Sequence, residues 1–205
     1  SLGAKWIAFD EAYLVRDLEK EDLELFTALY QGILSVKGST KVILQTYFGD
    51  VRDAYDSILA LPFDGVGLDF LEGKETKALV AKGFPKDKIL FAGLVNGKNI
   101  WRNHYEKTIQ AVKDLEAQGI SVVLSTSCSL LHVPYTLVGE NKLAEEVKRH
   151  FSFAIEKLEE LLDLKELLSG KANAEVLEAN KALFASARPN SEDQAVKDRC
   201  AAITD

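Results

Sequence analysis

The sequence predicts an α/β fold built on a parallel sheet: a partial (β/α) barrel of about five βα units followed by a C-terminal helical segment. Three observations lead there. Short β-rich apolar runs recur at 5–9, 41–47, 65–70, 88–95 and 120–126, spaced as strand-plus-helix units are. Each run is nearly continuous in apolar residues, as expected of parallel strands covered on both faces. Polar residues gather just after the runs, where a (β/α)₈ barrel carries its functional loops.

The first run leads into Asp10-Glu11 and then a helical pattern at 21–36. The second ends in the polar stretch 45–50, with Asp50 as the expected N-cap of a helix at 50–61. The third is followed by Asp69 to Glu72 and a helix at 74–82; the fourth by 96–102, with Asn103 as N-cap of a helix at 105–118. Gly119 stands where a C-cap glycine belongs. The fifth run ends at Ser125 to Cys128. From Glu140 the character changes. The span 143–169 reads as one long amphipathic helix, its apolar face formed by Leu143, Val147, Phe151, Ile155, Leu158 and Leu162. Gly170 closes it, 172–187 forms a second helix, and Arg188-Pro189-Asn190-Ser191 breaks to a short final one. The reading is thus a single domain over 1–205, with βα units over 1–137 and a helical tail over 138–205. Five units are too few for a closed barrel of typically ~250 residues, so three strands are missing or the sheet is open. A doubly wound sheet is the structural runner-up, although no GxGxxG or GxxxxGK[ST] follows any run.

Composition narrows the function. With 205 residues, 47% of them hydrophobic, the chain can bury one sizeable core. A net charge of −7 disfavours nucleic acid and anionic membrane surfaces as partners. No apolar run approaches the roughly 20 residues that span a bilayer. Only Cys128 and Cys200 occur, neither in a CxxC pair, and residues 1–5 carry no signal-peptide pattern, so a reducing cytoplasm is the expected setting. Methionine is absent, and the opening Ser-Leu-Gly-Ala-Lys runs straight into a strand; the natural start is read as cut away.

Several residues invite chemistry and each has a plainer reading. Asp10-Glu11 could form a paired-carboxylate acid–base site, but carboxylates at strand ends more often fix loops, and no partner base is near in sequence. Cys128 and His132 could suggest a thiol dyad; Pro134 makes the segment a loop, so helical spacing cannot be assumed. His104 and His150 lie in helical patterns and read as surface or packing residues. Trp101-Arg102 could stack on a ligand or dock a partner, and docking is preferred.

Three segments together resemble one family. They are Trp6-Ile7-Ala8-Phe9-Asp10-Glu11, the stretch Phe91-Ala92-Gly93-Leu94-Val95-Asn96-Gly97-Lys98-Asn99-Ile100-Trp101-Arg102, and Ser125-Thr126-Ser127-Cys128-Ser129-Leu130-Leu131-His132. Their order and spacing are similar to the N-terminal domain of cobalamin-independent methionine synthase, from Gly3 to a closing helix around Ala201-Ala202-Ile203-Thr204. Ala12 departs from the family, which places proline after that Asp-Glu. The resemblance implies two barrels descended from one duplicated ancestor. It also implies methyl transfer from polyglutamylated methyltetrahydrofolate to homocysteine, performed in a zinc-bearing C-terminal barrel that the N-terminal barrel faces. The stretch most associated with the folate tail falls before residue 1 on this resemblance.

Overlaying the duplicated halves, as the resemblance suggests, puts Gln45, Tyr47, Asp69 and Cys128 at the zinc-ligand positions. Glutamine amide and tyrosine phenol are poor zinc ligands near neutral pH, so these positions are expected to be vestigial, with no metal and no cofactor in this chain. Lys98 falls roughly where the catalytic half carries a proton-donating histidine. Nothing local lowers its pKa, and it is expected to be solvated or paired across a domain interface. The expected role is architectural. Asp10, Glu11, Asn96, Lys98, Asn99, Trp101, Arg102 and His132 are the interface or cleft candidates. The C-terminal barrel and the folate polyglutamate tail are the expected partners, with self-association through open sheet edges as a further outcome. The competing reading is a free-standing uroporphyrinogen decarboxylase-like barrel methyltransferase.

Overall fold

The computed structural model describes residues 3–171, 174–186 and 193–203. These fall into two compact units. The first comprises 3–99 and 108–132; the second comprises 100–107 and the described residues from 133 onward.

The first unit is the sheet and its helices. Its order is β1 (Trp6–Asp10), α1 (Lys20–Ser35), β2 (Lys41–Gln45), α2 (Tyr55–Ala60), β3 (Gly65–Asp69), α3 (Thr76–Lys82), β4 (Ile89–Val95), most of α4 (Tyr105–Ala117) and β5 (Ser121–Thr126). All five predicted strands are present. They pair in parallel in the order β1-β2-β3-β4-β5. A doubly wound sheet changes direction at a switch point; this one steps along in chain order, as a barrel wall does. Among the described residues β1 and β5 are each paired on one side only.

The pleat sends alternate residues to opposite faces. Val42, Leu44, Val66, Leu68, Leu90 and Ala92 share one face and are all 3% exposed or less. Tyr30 of α1 reaches this core, its ring meeting Phe9, Phe26 and Phe63 at 5.8, 4.9 and 5.2 Å. The other face carries Ile43, Gln45 and Phe91, with glycines between them. Gly65 and Gly67 have no side chain because Phe91 and Gln45 lie across β3. A Cβ at either position would fall 2.6 Å from the Phe91 ring or 1.3 Å from Gln45 Oε1. Towards the edges cover thins, and Trp6, Ile7 and Val123 are about 40% exposed.

Local signals set the helix ends. Asp22 accepts the Glu19 N–H at 3.0 Å in a capping box that starts α1. Gly119 ends α4 with φ +77°, a left-handed conformation glycine adopts without strain. Asp50 does not cap α2, which begins at Tyr55. Its carboxylate instead takes Arg52 at 2.8 Å and the Glu75 N–H at 3.2 Å, at the start of α3.

The second unit is helical: α5 (Glu145–Lys148), α6 (Ala154–Leu168), α7 (Ala174–Ala185) and α8 (Gln194–Ala201). The single helix expected over 143–169 is therefore two. At the break Phe151 bridges antiparallel to Trp101, and the Ser152 N–H donates to the Ile100 carbonyl at 2.7 Å. Glu156 then accepts the Phe153 N–H at 3.1 Å and restarts the helix. The inward face also differs from the expected one. Leu158 and Leu162 are 48% and 59% exposed, whereas Lys157 and Glu160 are at most 1% exposed. Gly170, at φ +68°, closes α6 as its position suggests. The predicted break at 188–191 and the residue Thr204 lie outside the described residues. No helix among the described residues is long and apolar enough to cross a membrane.

Candidate functional site

The sequence candidates of the first unit meet at the C-terminal ends of its strands. Asp10 ends β1, exposed, opposite Gln45 in the β1–β2 register. Glu11 is held twice: its N–H donates to the Gln45 carbonyl at 2.8 Å, and its carboxylate accepts the buried Tyr30 hydroxyl from α1. Burial and that carboxylate push the Tyr30 phenol far above its ordinary range. Gln45 spends its length covering Gly67, and its Oε1 is buried without a hydrogen bond among the described residues.

Asp69 is the hub. It is 1% exposed, and its two oxygens accept three backbone N–H groups: Oδ1 from Leu71 at 2.8 Å and Glu72 at 2.9 Å, Oδ2 from Phe48 at 3.1 Å. Burial raises its pKa against the pull of those donors. The Phe48 bond crosses from β3 to the loop after β2 and holds Phe48 at φ +74°, the one non-glycine residue with positive φ among those described. Backbone in this region is strained for a side chain with a Cβ, and such outliers cluster at functional sites. The Phe48 ring then receives three neighbours. Tyr47 packs edge-on at 4.8 Å, His132 edge-on at 5.2 Å, and the Lys98 ammonium lies 5.2 Å from the centroid.

Lys98 is also paired with Glu72 at 2.9 Å, and that hydrogen bond holds its pKa above the ordinary lysine value. The pairing lies within this unit, and an ammonium so held is a poor proton donor. Asn96 builds the turn that presents it, its Oδ1 accepting the N–H groups of Lys98 and Asn99 at 2.8 Å each. Gly97 is required by close approach, since a Cβ there would lie 2.4 Å from the Cys128 carbonyl and 3.0 Å from its sulfur. Cys128 is 5% exposed, and burial pushes its thiol pKa up. Its hydrogen bond runs to the Ser129 carbonyl at 3.6 Å, while His132 turns to Phe48, so the two do not form a dyad.

These donors do not suit zinc. Both Asp69 oxygens already accept backbone N–H groups, burial pushes the Cys128 thiol pKa up, and burial with the nearby Asp10 and Glu11 carboxylates pushes the Tyr47 phenol up. Zinc binds thiolate, imidazole and carboxylate with free lone pairs. Among the described residues no three or more histidine, cysteine, aspartate or glutamate side chains are grouped to hold a metal ion.

The remaining candidates, Trp101 and Arg102, belong to the second unit. Trp101 is 38% exposed and packs on Phe151 at 5.2 Å. Arg102 donates its N–H to the His150 carbonyl and its Nε to the Arg149 carbonyl, at 3.0 and 2.9 Å. The buried charges of α6 serve this segment: Lys157 donates to the Trp101 carbonyl at 3.1 Å, and Glu160 accepts the Asn103 N–H at 2.9 Å. Asn180 of α7 completes the anchorage, accepting the Tyr105 N–H and donating to the Asn103 carbonyl, each at 3.0 Å. Sequence reasoning missed Phe48, Glu72, Lys157 and Glu160. Only Glu72 carried a signal, as a carboxylate in a strand-end loop.

Comparison with known proteins places this arrangement. A family profile described as the N-terminal domain of cobalamin-independent synthase matches residues 1–119. The 5-methyltetrahydropteroyltriglutamate–homocysteine methyltransferase of Streptococcus suis (strain 05ZYH33) is 52% identical over 204 residues, covering 100% of this chain and 27% of that protein. Proteins of the same name in Campylobacter jejuni (strain RM1221) and Lactococcus lactis subsp. cremoris (strain SK11) are 50% and 49% identical, covering 98% and 100% of the chain. The chain thus spans 27% of the length of these relatives. With the profile covering more than half of its residues, the chain belongs to the family of cobalamin-independent synthase N-terminal domains.

Proposed function

We propose that this chain is a non-catalytic portion of the N-terminal barrel of a cytoplasmic enzyme that methylates homocysteine from a folate polyglutamate to give methionine. Its work is architectural. The locked loops around Phe48, Asn96–Asn99 and Cys128–His132, together with Trp101 and Arg102 on the second unit, are surfaces offered to a C-terminal catalytic barrel and to the folate tail. Zinc chemistry belongs to that other barrel.

One observation carries this reading. Asp69, Glu11, Lys98 and Cys128, the groups at the strand ends best suited to acid–base or ligand work, are committed to backbone bonds, the Tyr30 hydroxyl, an ion pair and burial respectively. Groups so committed position loops, and their bonds and burial leave them less available to a substrate. Methyl transfer from methyltetrahydrofolate triglutamate to homocysteine is the test. The chain alone gives no turnover with or without zinc, and its addition raises the turnover of a separately made catalytic barrel. Turnover by the chain alone refutes the reading in favour of a free-standing methyltransferase. In isolation the unpaired edges of β1 and β5 are expected to drive self-association, seen as a dimer or larger species by light scattering.

A further inference from the structure

We propose that a cavity in the second unit binds a zwitterionic α-amino acid with an apolar side chain, an inference that does not depend on the proposed function. The cavity measures about 640 Å³, within the range of small-molecule sites. It lies among the start of α4, α6 and α7.

Its lining divides by chemistry. Arg102 and Arg149 supply two guanidinium groups. Bonding of Arg102 Nε to the backbone carbonyl of Arg149 holds the first in place. Arg102 Nη1 stands 4.0 Å from the buried Glu160, which already accepts the Asn103 N–H. Among the described residues no carboxylate pairs with Arg149, which is exposed. A guanidinium recognises a carboxylate through paired N–H donors, so this side of the cavity fits a ligand carboxylate.

Asp163 provides the opposite charge. Its Oδ2 accepts the Tyr105 hydroxyl at 2.7 Å, and Oδ1 has no hydrogen bond among the described residues. One free carboxylate oxygen beside two guanidiniums suits an ammonium next to a carboxylate, as an α-amino acid presents them. A dianion would be repelled by Asp163, and a simple amine by the arginines. Apart from Asn180, which is already bonded to the Tyr105 N–H and the Asn103 carbonyl, the α7 wall is apolar: Val176, Ala179 and Leu183 line the same cavity at helical spacing. That surface fits a flexible hydrocarbon or thioether side chain better than a charged one.

Titration of the chain with L-norleucine, followed by amide shifts in a ¹⁵N NMR spectrum, tests the assignment. Hexanoate and hexylamine serve as ligands lacking one charge each. Saturating shifts confined to α7 and the start of α4 are expected, with norleucine binding more tightly than either truncated ligand. Arg149→Gln, a change at an exposed side chain, should weaken binding roughly tenfold or more, the loss of a charge-assisted hydrogen bond. Asp163→Asn should remove the advantage of norleucine over hexanoate while the remaining amide spectrum stays unchanged. The assignment is overturned if norleucine gives no saturating shift in α7, if hexylamine binds as tightly, or if Arg149→Gln binds as the parent chain does.

Discussion

Asp69 accepts three backbone N–H groups from two loops, and this explains why a short acid at the end of β3 is buried at all. Burying a carboxylate is unfavourable unless its lone pairs are satisfied, and here donors are fixed on both oxygens. Removing the carboxylate orphans three donors at once. Asp69→Ala should therefore destabilise the chain by about 3 kcal/mol in urea unfolding, and Asp69→Asn, which keeps one acceptor oxygen, by less. The cysteines offer a second check. Cys128 is buried with a raised pKa, whereas Cys200 is exposed on α8. A thiol reagent at pH 8 should modify one thiol quickly and the second only on unfolding, because the thiolate is the nucleophile. Two fast thiols would mean that the Gly97–Cys128 contact is open. Asp10, Glu11 and Cys128 were legible as residues of a strand-end cluster because the barrel pattern places them there. Phe48 was not: nothing in Tyr47-Phe48-Gly49 announces a left-handed phenylalanine, whose cause is a carboxylate 21 residues away.

Helix α6 shows how a regular pattern can point the wrong way. Leu158 and Leu162 recur at helical spacing and resemble a core stripe, yet Lys157 and Glu160 face inward because the 101–103 backbone supplies their partners. Lys157→Ala should then cost about 3 kcal/mol or more, since it removes a fully buried ammonium that donates to the Trp101 carbonyl and sits beside the Glu160 carboxyl, while Leu162→Ala should change stability by less than about 0.5 kcal/mol. The reverse order would restore the leucine face as the core. Titration separates the acids by sign. Burial raises the Glu160 pKa, so the folded state holds a proton the unfolded state has released. Between the ordinary glutamate value and that raised value the folded state binds more protons, and stability from this group falls as pH rises. Asp50, Asp64 and Glu156 are shifted down by their hydrogen bonds and ion pairs, and act oppositely, adding stability as pH rises through their lowered values. Urea midpoints measured against pH should decline less steeply above the ordinary glutamate value in Glu160→Gln, the buried Asp69 keeping part of the slope, and should retain their acid limb. The strands were legible because each is a continuous apolar run. The break in 143–169 was not, because it depends on Trp101, 50 residues before Phe151.

The five strands advance in chain order, and the polar groups at their ends bind one another. Both features suit a wall whose function is to present loops to something else. The chain spans 27% of the length of relatives named as homocysteine methyltransferases, so most of such a protein lies outside the matched stretch. Sedimentation of this chain with a separately made C-terminal catalytic barrel tests that division of labour most directly. A complex should form, and it should be weakened by Leu131→Asp, a change at a side chain 91% exposed in the loop after β5. If the two sediment independently at tens of micromolar, the concentration range where weak specific interfaces associate, the architectural role is contradicted.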